Sequence, residues 1–533
     1  MSKKLSDRRS FLQGAGAGAG LAVAGLATPQ TARAAETAGA FDVKSMGATG
    51  DGRTIDTPAI DKAIAAASDS GGGTVRFPAG NYLCYTIHLK SNIVLYLDQG
   101  AKIIAADAPA VGDTTTKAYD LAEPNQWDHY QDYGHSHWRN SLIWGEGVEN
   151  VSILGPGLIW GRGLSKGTGG EPRAERPGVG NKSIALKNCH NVTLRDFSIL
   201  HGGHFAILAT GVDNLTIDNL KIDTNRDGMD IDCCRNVRVS NCMVNSPWDD
   251  GICPKSSYAL GSAKPTEFVT ITNCYVSGCW EEGTLLDGTY KKFAPDVRGV
   301  GHTGRIKFGT ESNGGFRNIT ISNCVFEGCQ GFALESVDGA LLEDITISNI
   351  SMRDIVSLPI FLRLGSRMRG PADAKVGTLR RILISNIVCS NSASRAASII
   401  SGIPGHAIED VKLSNILIQH RGGGTAQDAA QEPKELENAY PEPTMFGGTP
   451  SHGFYIRHVK GLEVTNVEIV AEKEDARPAF VLDDVQGCDF SRVKVPANSA
   501  AGTFVLKHVE DFTLTNCKTA PDTRIEKTEQ KKV

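Results

Sequence analysis

A short alternating segment that ends in asparagine recurs along most of the chain, and it restricts the fold more than any other sequence feature. Each copy reads apolar, polar, apolar, polar, Asn, apolar, as in residues 215–220. Alternation with a period of two indicates a strand with one buried face. Asn tolerates the left-handed backbone of a turn, so it marks the strand end. The copies begin at Leu215, Val237, Val269, Ile319, Ile345, Ile382, Val411, Leu462 and Phe512.

The spacing of these copies predicts a stack of coils. The shortest interval is about 22 residues, within the range of stacked repeats, and longer intervals indicate loops inserted at one corner. The copies are not separated by amphipathic helices, which disfavours a doubly wound α/β fold because its parallel strands need long crossovers. We therefore predict an all-β protein, a single-domain right-handed parallel β-helix.

The predicted organisation has a cap, a long stack and a tail. One helix is predicted at residues 57–68, with Pro58 at its start, and it would cover the open N-terminal end of the stack. Residues 35–105 form this cap and the first coils. Residues 106–520 form the main β-helix, which carries the candidate site and the inserted loops 106–140, 279–300 and 421–451. Residues 521–533 form a polar tail.

Residues 1–34 predict a twin-arginine export signal. Arg8 and Arg9 precede a weakly apolar Gly/Ala run, and Ala32-Arg33-Ala34 is a small-x-small cleavage signal. The apolar run is too short for a membrane span. We expect a periplasmic or secreted protein without a membrane span.

Composition and cysteine positions narrow the function classes. The chain is 40% hydrophobic and 22% charged, with a net charge of -5, and it shows no basic cluster typical of nucleic-acid binders. Of its 13 cysteines, Cys242, Cys274, Cys324 and Cys517 follow the recurring Asn, where other copies carry Leu, Ile or Val. We interpret them as free structural residues in an interior stack. No paired Cys/His spacing indicates a metal.

Two aspartate motifs lie one coil apart. Asn225-Arg226-Asp227-Gly228 is followed, about 22 residues on, by Trp248-Asp249-Asp250-Gly251. Stacking would gather Asp227, Asp249 and Asp250 on one surface, as a metal site or as acid/base machinery. Aspartates in such turns can also do no more than cap loops. Asp230 and Asp232 are interpreted in that way.

These motifs resemble a known family. The opening at residues 42–52 and the segment 77–82 are similar to those of pectin-degrading, pectin lyase-like β-helix proteins, and the aspartate motifs resemble glycoside hydrolase family 28, the polygalacturonases. The resemblance covers roughly residues 40–470. It implies inverting hydrolysis of galacturonan or rhamnogalacturonan chains, with no metal or cofactor. It also implies Asp249 as the acid, Asp227 and Asp250 as the pair that activates water, and Asn225 as a substrate ligand.

The spacing of stacked rungs is compatible with the acid–base separation of an inverting glycosidase. Adjacent rungs lie about 4.8 Å apart. An inverting enzyme holds its acid and base roughly 6.5–9.5 Å apart. Neighbouring rungs with a lateral offset can reach that separation, and clustered carboxylates raise at least one pKa.

The family's cleft motifs are displaced in this chain. Gly301-His302-Thr303-Gly304 stands near the position of a Gly-His-Gly, so His302 is a candidate cleft residue. An Arg-Ile-Lys, residues 305–307, lies one coil early, and Glu335 falls at its usual place. Arg305 and Lys307 could bind a uronate from the neighbouring rung. Alternatively, the substrate lacks a uronate there and Glu335 meets sugar hydroxyls, or the two cations form a solvated strand face.

The inserted loops favour exo-cleavage, because they could wall off one end of the groove. Aromatic residues in these loops either stack on sugars or pack the loops themselves: Trp127, Tyr130, Trp138, Trp280 and Tyr290.

Two rival functions remain. A calcium-dependent lyase would use Asp227, Asp230, Asp249 and Asp250 as ligands, and a carbohydrate-binding solenoid would show no turnover. The expected partner is a pectic oligo- or polysaccharide, bound by a monomer.

Overall fold

A computed structural model describes residues 40–110, 113, 118–167, 176–294, 301–496 and 501–533. The predicted export signal, residues 1–34, and the last six residues of the predicted loop 279–300 lie outside the described residues. Among the helices that are described, none has the length and apolar character needed to cross a bilayer.

The N-terminal coils consist of short strands and one helix. The helix α1 (Thr57–Asp69) confirms the predicted helix, and it buries Ile60 and Ile64 against the stack. The strands are β1 (Ala40–Asp42), β2 (Asp51–Ile55), β3 (Gly73–Phe77), β4 (Gly80–Cys84), β5 (Ile87–His88), β6 (Ile93–Leu97), β7 (Ala101–Ala105), β8 (Ile143–Glu146), β9 (Glu149–Leu154) and β10 (Leu158–Trp160).

The middle coils repeat three strands per turn, and a small antiparallel hairpin is inserted after them. The strands are β11 (Lys182–Lys187), β12 (His190–Arg195), β13 (Ser198–Leu200), β14 (Phe205–Thr210), β15 (Asp213–Asp218), β16 (Lys221–Asp223), β17 (Asp227–Asp232), β18 (Arg235–Ser240), β19 (Met243–Asn245), β20 (Ile252–Lys255), β21 (Thr266–Thr272), β22 (Tyr275–Ser277), β23 (Trp280–Glu282), β24 (Lys291–Lys292) and β25 (Lys307–Phe308).

The C-terminal coils have longer strands that bend at their corners. They are β26 (Phe316–Glu327), β27 (Phe332–Ser336), β28 (Leu341–Arg353), β29 (Ile360–Leu364), β30 (Thr378–Ser392), β31 (Ser398–Ser401), β32 (Ile408–Gly422), β33 (Phe454–Lys473), β34 (Phe480–Ser491), β35 (Phe504–Thr515) and β36 (Thr523–Lys532). A short helix, α2 (Ala426–Ala429), lies between β32 and β33.

The parallel β-helix prediction is confirmed by the strand register. Leu215 pairs with Val237, and the same row continues through the predicted strand starts to Leu462. Between Leu462 and Phe512 the structure contains one further coil, at Cys488. The sequence pattern missed this coil because Arg492, and not Asn, holds the left-handed corner, with φ 52°.

Asparagine corners support the stack as the sequence predicts. The asparagines that end the recurring segments all have positive φ, for example 56° at Asn386 and 54° at Asn415. Their side chains also bond from coil to coil. Asn386 donates to Asn349 at 3.0 Å and accepts from Asn415 at 3.0 Å. Each amide therefore satisfies its neighbour along an exposed ladder.

The cysteines are free, as predicted. All 13 are unpaired, and Cys242, Cys274 and Cys324 lie in the buried row formed elsewhere by Leu220 and Ile350. Their pairing with aliphatic residues in register, such as Cys324 with Ile350, shows that cysteine serves here as a small apolar side chain.

The C-terminal end of the stack is covered by a strand. The predicted polar tail, residues 521–533, includes β36, which pairs antiparallel with β35. Ile525 is buried in this strand, while most of its other side chains are exposed. The last parallel strand therefore has a partner on its outer edge.

Candidate active site

The face that carries the aspartates is a sheet of six parallel strands, ordered β20, β17, β14, β11, β8, β5. An isolated bridge between Ile252 and Ile306 extends this face to β25, and β25 pairs with β27. Residues far apart in sequence thereby form adjacent rungs of one surface. Asp227, Asp250, Arg305 and Glu335 come from four successive coils of this face.

The three predicted aspartates meet across one rung spacing. The Gly228 N–H donates to the carbonyl of Asp250 at 3.0 Å. A Cβ on Gly228 would lie 2.3 Å from the carbonyl oxygen of Gly251, so this close approach requires glycine. Asp227, Asp249 and Asp250 each offer an oxygen within 4.8 Å of the others. This cluster is tighter than the 6.5–9.5 Å separation that we expected for an inverting pair.

The three carboxylates differ in exposure and in partners. The Asp227 and Asp250 side chains are almost fully buried, whereas 27% of the Asp249 side chain is exposed. Arg226 forms an ion pair with Asp249 at 2.5 Å. Asp249 is thus the carboxylate that a molecule in the cleft would meet first.

Arg305 and Lys307 lie against the third carboxylate. Arg305 Nε donates to Asp250 Oδ1 at 2.8 Å, and Lys307 Nζ is 3.4 Å from Asp250 Oδ2. Both cations are almost fully buried. The interpretation of these residues as a solvated strand face is therefore wrong, because the coil stacking turns them inward, toward Asp250.

These surroundings shift the pKa values of the three carboxyl groups in opposite directions. Burial, with the nearby Asp249 and Asp230, raises the pKa of Asp227 well above its usual value. Burial also raises the pKa of Asp249, although Arg226 opposes the shift. Burial would raise the pKa of Asp250, but Lys307 and Arg305 outweigh it and hold that pKa below its usual range. The surroundings thus favour the ionised form of Asp250 and the protonated forms of Asp227 and Asp249.

Glu335 lies on the next rung, fully buried. Neither carboxylate oxygen has a hydrogen-bond partner among the described residues, and Lys307 Nζ is 3.8 Å away. Burial raises the pKa of Glu335 to about 8. The position beside Lys307 agrees with a place in the cleft region, but the burial leaves no surface for a sugar hydroxyl in this conformation.

Two predicted substrate ligands point elsewhere. Asn225 donates to Glu281 at 3.2 Å. His302 packs against Phe293, and its Nδ1 lies 3.1 Å from the carbonyl oxygen of Gly328. Neither residue is among those that line the cleft around the aspartates. Their role in substrate binding stays a prediction.

A buried charge network behind the aspartates was missed by the sequence analysis. His135 Nε2 forms an ion pair with Asp230 at 3.1 Å, and Lys255 Nζ bonds Glu311 at 3.0 Å. Burial lowers the pKa of His135, but Glu311 and Asp230 outweigh it and raise that pKa. Asp230 is therefore part of this network and not a simple turn cap. Asp232, which accepts two hydrogen bonds from Ser257, does cap a turn as interpreted.

The loop between β32 and β33, residues 423–453, closes over the site, and we name it the cleft loop. Its Glu442 accepts a hydrogen bond from Arg305 Nη2 at 2.7 Å and lies 3.5 Å from Lys307 Nζ. Its Tyr440 ring lies 5.7 Å from Lys307 Nζ. No sequence motif marks Glu442. Its proximity to the cations depends on the path of a long loop.

The cleft itself is small, about 200 Å³. It is lined by the aspartates and by residues of two loops: Asp132, Tyr133, His135, His204, Arg226, Asp227, Asp249, Asp250, Lys255, Lys307, Thr310 and Tyr440. The aspartates thus lie at the bottom of a pocket whose walls are formed by the predicted loops 106–140 and 421–451.

The predicted loop aromatics mainly pack the loops. Trp138 is buried and donates to Thr210, and Trp280 is buried and donates to Asp223. Trp127 and Tyr130 stack on each other. Trp248, adjacent in sequence to Asp249, is 41% exposed, and the cleft itself is lined by the rings of Tyr133 and Tyr440.

This right-handed β-helix, with clustered acids on one face, resembles the pectate lyase-like proteins. Family models agree: "Rhamnogalacturonase A/epimerase, pectate lyase-like" matches residues 40–153 and "Right handed beta helix region" matches residues 177–295. The predicted resemblance to the polygalacturonases, glycoside hydrolase family 28, is confirmed as a resemblance.

One curated relative and two solved structures illustrate this resemblance. A protein described as "Probable polygalacturonase" from Vitis vinifera is 25% identical over 242 residues, which are 42% of this chain and 47% of that protein. The chain thus spans about half the length of this relative. The exopolygalacturonase of Yersinia enterocolitica superposes with a TM-score of 0.61 at 17% identity, covering 86% of this chain and 78% of that one. That of Thermotoga maritima gives 0.54 at 18% identity, covering 72% and 87%. At these identities the two structures support the fold.

Proposed function

We propose that the protein is an exo-acting, inverting glycoside hydrolase of pectic chains of the galacturonan or rhamnogalacturonan type. The observation that carries the proposal is the charge separation within the aspartate cluster. Two cations favour the ionised form of Asp250, while burial favours the protonated forms of Asp227 and Asp249 at the bottom of a pocket. A glycosidase needs one protonated and one ionised carboxyl at the scissile bond.

In this mechanism Asp249 is the general acid, since it is the carboxyl exposed in the cleft. It donates its proton to the glycosidic oxygen as the bond to the anomeric carbon breaks. Asp250 accepts a proton from the water that attacks this carbon. The cycle ends with Asp249 ionised and Asp250 protonated, and proton exchange with solvent restores both.

Asp227 takes a different part from the one that the resemblance implies. Its raised pKa favours a proton-holding group beside Asp249, not a second base beside Asp250. A group that returns a proton to Asp249 would keep the acid ready for the next turnover.

Exo-cleavage is supported by the shape of the cleft. The pocket of about 200 Å³ is lined by Tyr133 from one loop and Tyr440 from another, with the aspartates at its floor. A small pocket with walls from two loops suits a chain end, whereas an endo-acting enzyme needs a groove open at both ends. We expect monomer or short products from the first minutes of reaction.

The calcium-dependent lyase is the weaker candidate. Asp227, Asp249 and Asp250 are close enough to share one cation. However, Arg226 already lies 2.5 Å from Asp249, and Arg305 and Lys307 lie against Asp250. Arginine and lysine side chains therefore already pair with the carboxylates that a calcium ion would have to bind.

The function is tested by product analysis. The protein is incubated with homogalacturonan, rhamnogalacturonan and their oligomers, and products are identified by mass spectrometry. We expect saturated products and full activity in the presence of a chelator. Proton NMR of the first product should show the inverted anomer. Retention would contradict the inverting mechanism, and it would agree with the tight carboxylate spacing.

Two substitutions test the residue roles. Asp249→Asn and Asp250→Asn should each lower kcat by about 10²-fold or more, the range for loss of a general acid or base. Asp232→Asn serves as the matched control, because Asp232 is a buried turn cap outside the cleft. Wild-type turnover in both variants would refute the assignment. Ultraviolet-absorbing products that disappear with chelator would identify a lyase, and binding without any turnover would identify a carbohydrate-binding solenoid.

Location and assembly remain predictions. Export by the twin-arginine route follows from residues 1–34 alone, and the monomeric state is an expectation from the sequence. Both are consistent with an enzyme that acts on an external polysaccharide.

A further inference from the structure

Arg305 and Lys307 form a cation pair beside Asp250. This pair already contacts a second carboxylate of the protein, that of Glu442. Glu442 Oε1 lies 2.7 Å from Arg305 Nη2 and 3.5 Å from Lys307 Nζ. A third of the Glu442 side chain is exposed, whereas both cations are almost fully buried beneath it. Lys307 lines the cleft, and Glu442 lies beside it, next to the lining residue Tyr440.

The charges at this place are balanced without a ligand. Arg305 and Lys307 face Asp250 on one side and Glu442 on the other. Glu335 is the remaining acid beside Lys307, and its burial keeps it protonated at neutral pH. A sugar carboxylate placed here would meet Glu442 at close range and would have to displace it to reach a cation.

Displacing Glu442 is opposed by the way its loop is anchored. Two buried arginines of the coils hold the cleft loop by its backbone. Arg363 donates to the carbonyls of Glu435 and Leu436, and Arg457 donates to those of Pro433 and Lys434. Both guanidinium groups also lie over the ring of Phe446 in the same loop.

A second anchor lies close to Glu442 itself. The Thr310 hydroxyl bonds the Tyr440 hydroxyl at 2.8 Å, and the Tyr440 ring contacts both Lys307 and Arg367. The backbone that carries Glu442 is thus held on both sides, at Tyr440 and at Phe446.

We propose that Glu442 is a specificity-determining residue that excludes hexuronates from the subsite beside Asp250 and makes it a site for a neutral glycosyl residue. This inference rests on the proposed glycosidase function. Within that function it favours chains that alternate neutral and acidic sugars over chains made of uronate alone. The Glu442 carboxylate offers the neutral sugar hydrogen-bond acceptors for its hydroxyl groups.

The test is a binding measurement that needs no turnover. In the Asp249→Asn background, D-galactose and D-galacturonate are titrated against the protein and followed by ligand-observed NMR. These sugars differ in charge at one carbon. We expect the protein with Glu442 intact to bind galactose more tightly than galacturonate. Adding Glu442→Gln should strengthen galacturonate binding at least tenfold and change galactose binding less than threefold.

Two controls separate charge from structure. Glu432→Gln removes an exposed carboxylate from the same loop, 3.4 Å from Lys507 and away from the cation pair, and should change neither affinity. The galacturonate gain in Glu442→Gln should shrink at high salt and vanish when Lys307→Met is added. Thermal unfolding verifies that each variant is folded, and Glu442→Ala provides a second substitution.

The outcomes distinguish this inference from the proposed function. Equal galacturonate binding with and without Glu442, or weaker binding in Glu442→Gln and Glu442→Ala, overturns the inference. Failure of both sugars to bind any variant also overturns it, because the place is then no sugar subsite. A tenfold gain in a protein that hydrolyses none of the pectic chains would support the role of Glu442 and refute the hydrolase.

Discussion

At the scale of single residues, two sequence neighbours have opposite electrostatic surroundings. Asp249 is partly exposed and has one cation, Arg226, whereas Asp250 is buried between Arg305 and Lys307. The pKa of Asp249 is raised and the pKa of Asp250 is lowered. A catalytic cycle that needs Asp249 protonated and Asp250 ionised is therefore expected to lose activity on the alkaline side as the raised pKa is crossed.

Arg226→Gln tests this arrangement. Arg226 favours the ionised form of Asp249, so its removal should raise the pKa of Asp249 further. The alkaline limb of the kcat/KM profile should move to higher pH by about 0.5–1 unit. Arg235→Gln is the control, because Arg235 pairs with Glu267 on an exposed surface. An unchanged or downward-shifted limb would contradict the acid role of Asp249.

Ionisation of the buried Glu335 makes the stability of the folded protein depend on pH. Its pKa rises from 4.5 to about 8 in the folded protein. Between these values the folded state holds a proton that the unfolded state releases, so this residue's contribution to stability is largest below pH 4.5 and falls until about pH 8.

Glu335→Gln should remove this pH dependence. The variant is expected to be more stable than the wild type above pH 8, by at most about 5 kcal/mol, with the advantage disappearing below pH 4.5. Melting temperatures measured from pH 4 to pH 9 provide the comparison. Glu463→Gln, at an exposed ion pair with Lys412, is the control. Parallel curves for Glu335→Gln and the wild type would show that Glu335 ionises normally.

At the scale of elements, each corner asparagine contributes a left-handed backbone and side-chain hydrogen bonds. Substitutions can separate these two contributions. Asn386 has φ 56° and takes part in two ladder hydrogen bonds. Gly keeps the left-handed backbone but removes the ladder, whereas Ala removes both.

We expect Asn386→Ala to destabilise the protein by about 1–2 kcal/mol and Asn386→Gly to cost less than Ala by roughly 1 kcal/mol. Chemical unfolding monitored by circular dichroism measures both. Equal losses would mean that the side-chain ladder, not the backbone, accounts for the effect. Asn438→Ala, in the cleft loop outside the ladder, is a control that should leave stability near that of the wild type.

The coils could be predicted from the sequence because each repeats the same local requirement. A two-residue alternation and a left-handed corner are short-range signals, and they located every coil from Leu215 to Leu462. The coil at Cys488 was missed because Arg492 satisfies the corner without the expected residue type. The aspartate cluster was also predictable, since one repeat equals one rung.

The rest of the site could not be predicted, because it depends on where long loops travel. Glu442 reaches Arg305 across 137 positions of sequence, and His135 reaches Asp230 from a loop far upstream. No period relates these positions. Likewise, the inward orientation of Arg305 and Lys307 depends on the exact exit of the loop before them, whose length the repeat does not fix.

At the scale of the whole molecule, β36 protects the end of the stack. It pairs antiparallel with β35 from Leu514 back to Val505. Without it, the backbone groups of β35 would form an exposed edge, which is a template for association between chains.

Removal of residues 521–533 should therefore cause concentration-dependent association. Light scattering after size-exclusion chromatography should show a single species for the full chain and larger species for the truncated one. Lys527→Glu breaks only the ion pair with Glu510 and should leave the full chain's behaviour unchanged. A truncated chain that remains a single species would show that β36 is dispensable for capping.

The path of the cleft loop has a consequence for how such a chain can change over time. The loop leaves after β32 and returns at β33, yet these two strands pair directly, Val411 with Leu462, so the loop's length does not enter their register. Insertions, deletions or an exchanged cassette in residues 423–453 can alter which sugar is accepted while the rungs keep their contacts. Sequence changes in the cleft loop and sequence changes that affect strand pairing can therefore accumulate in separate stretches of this chain.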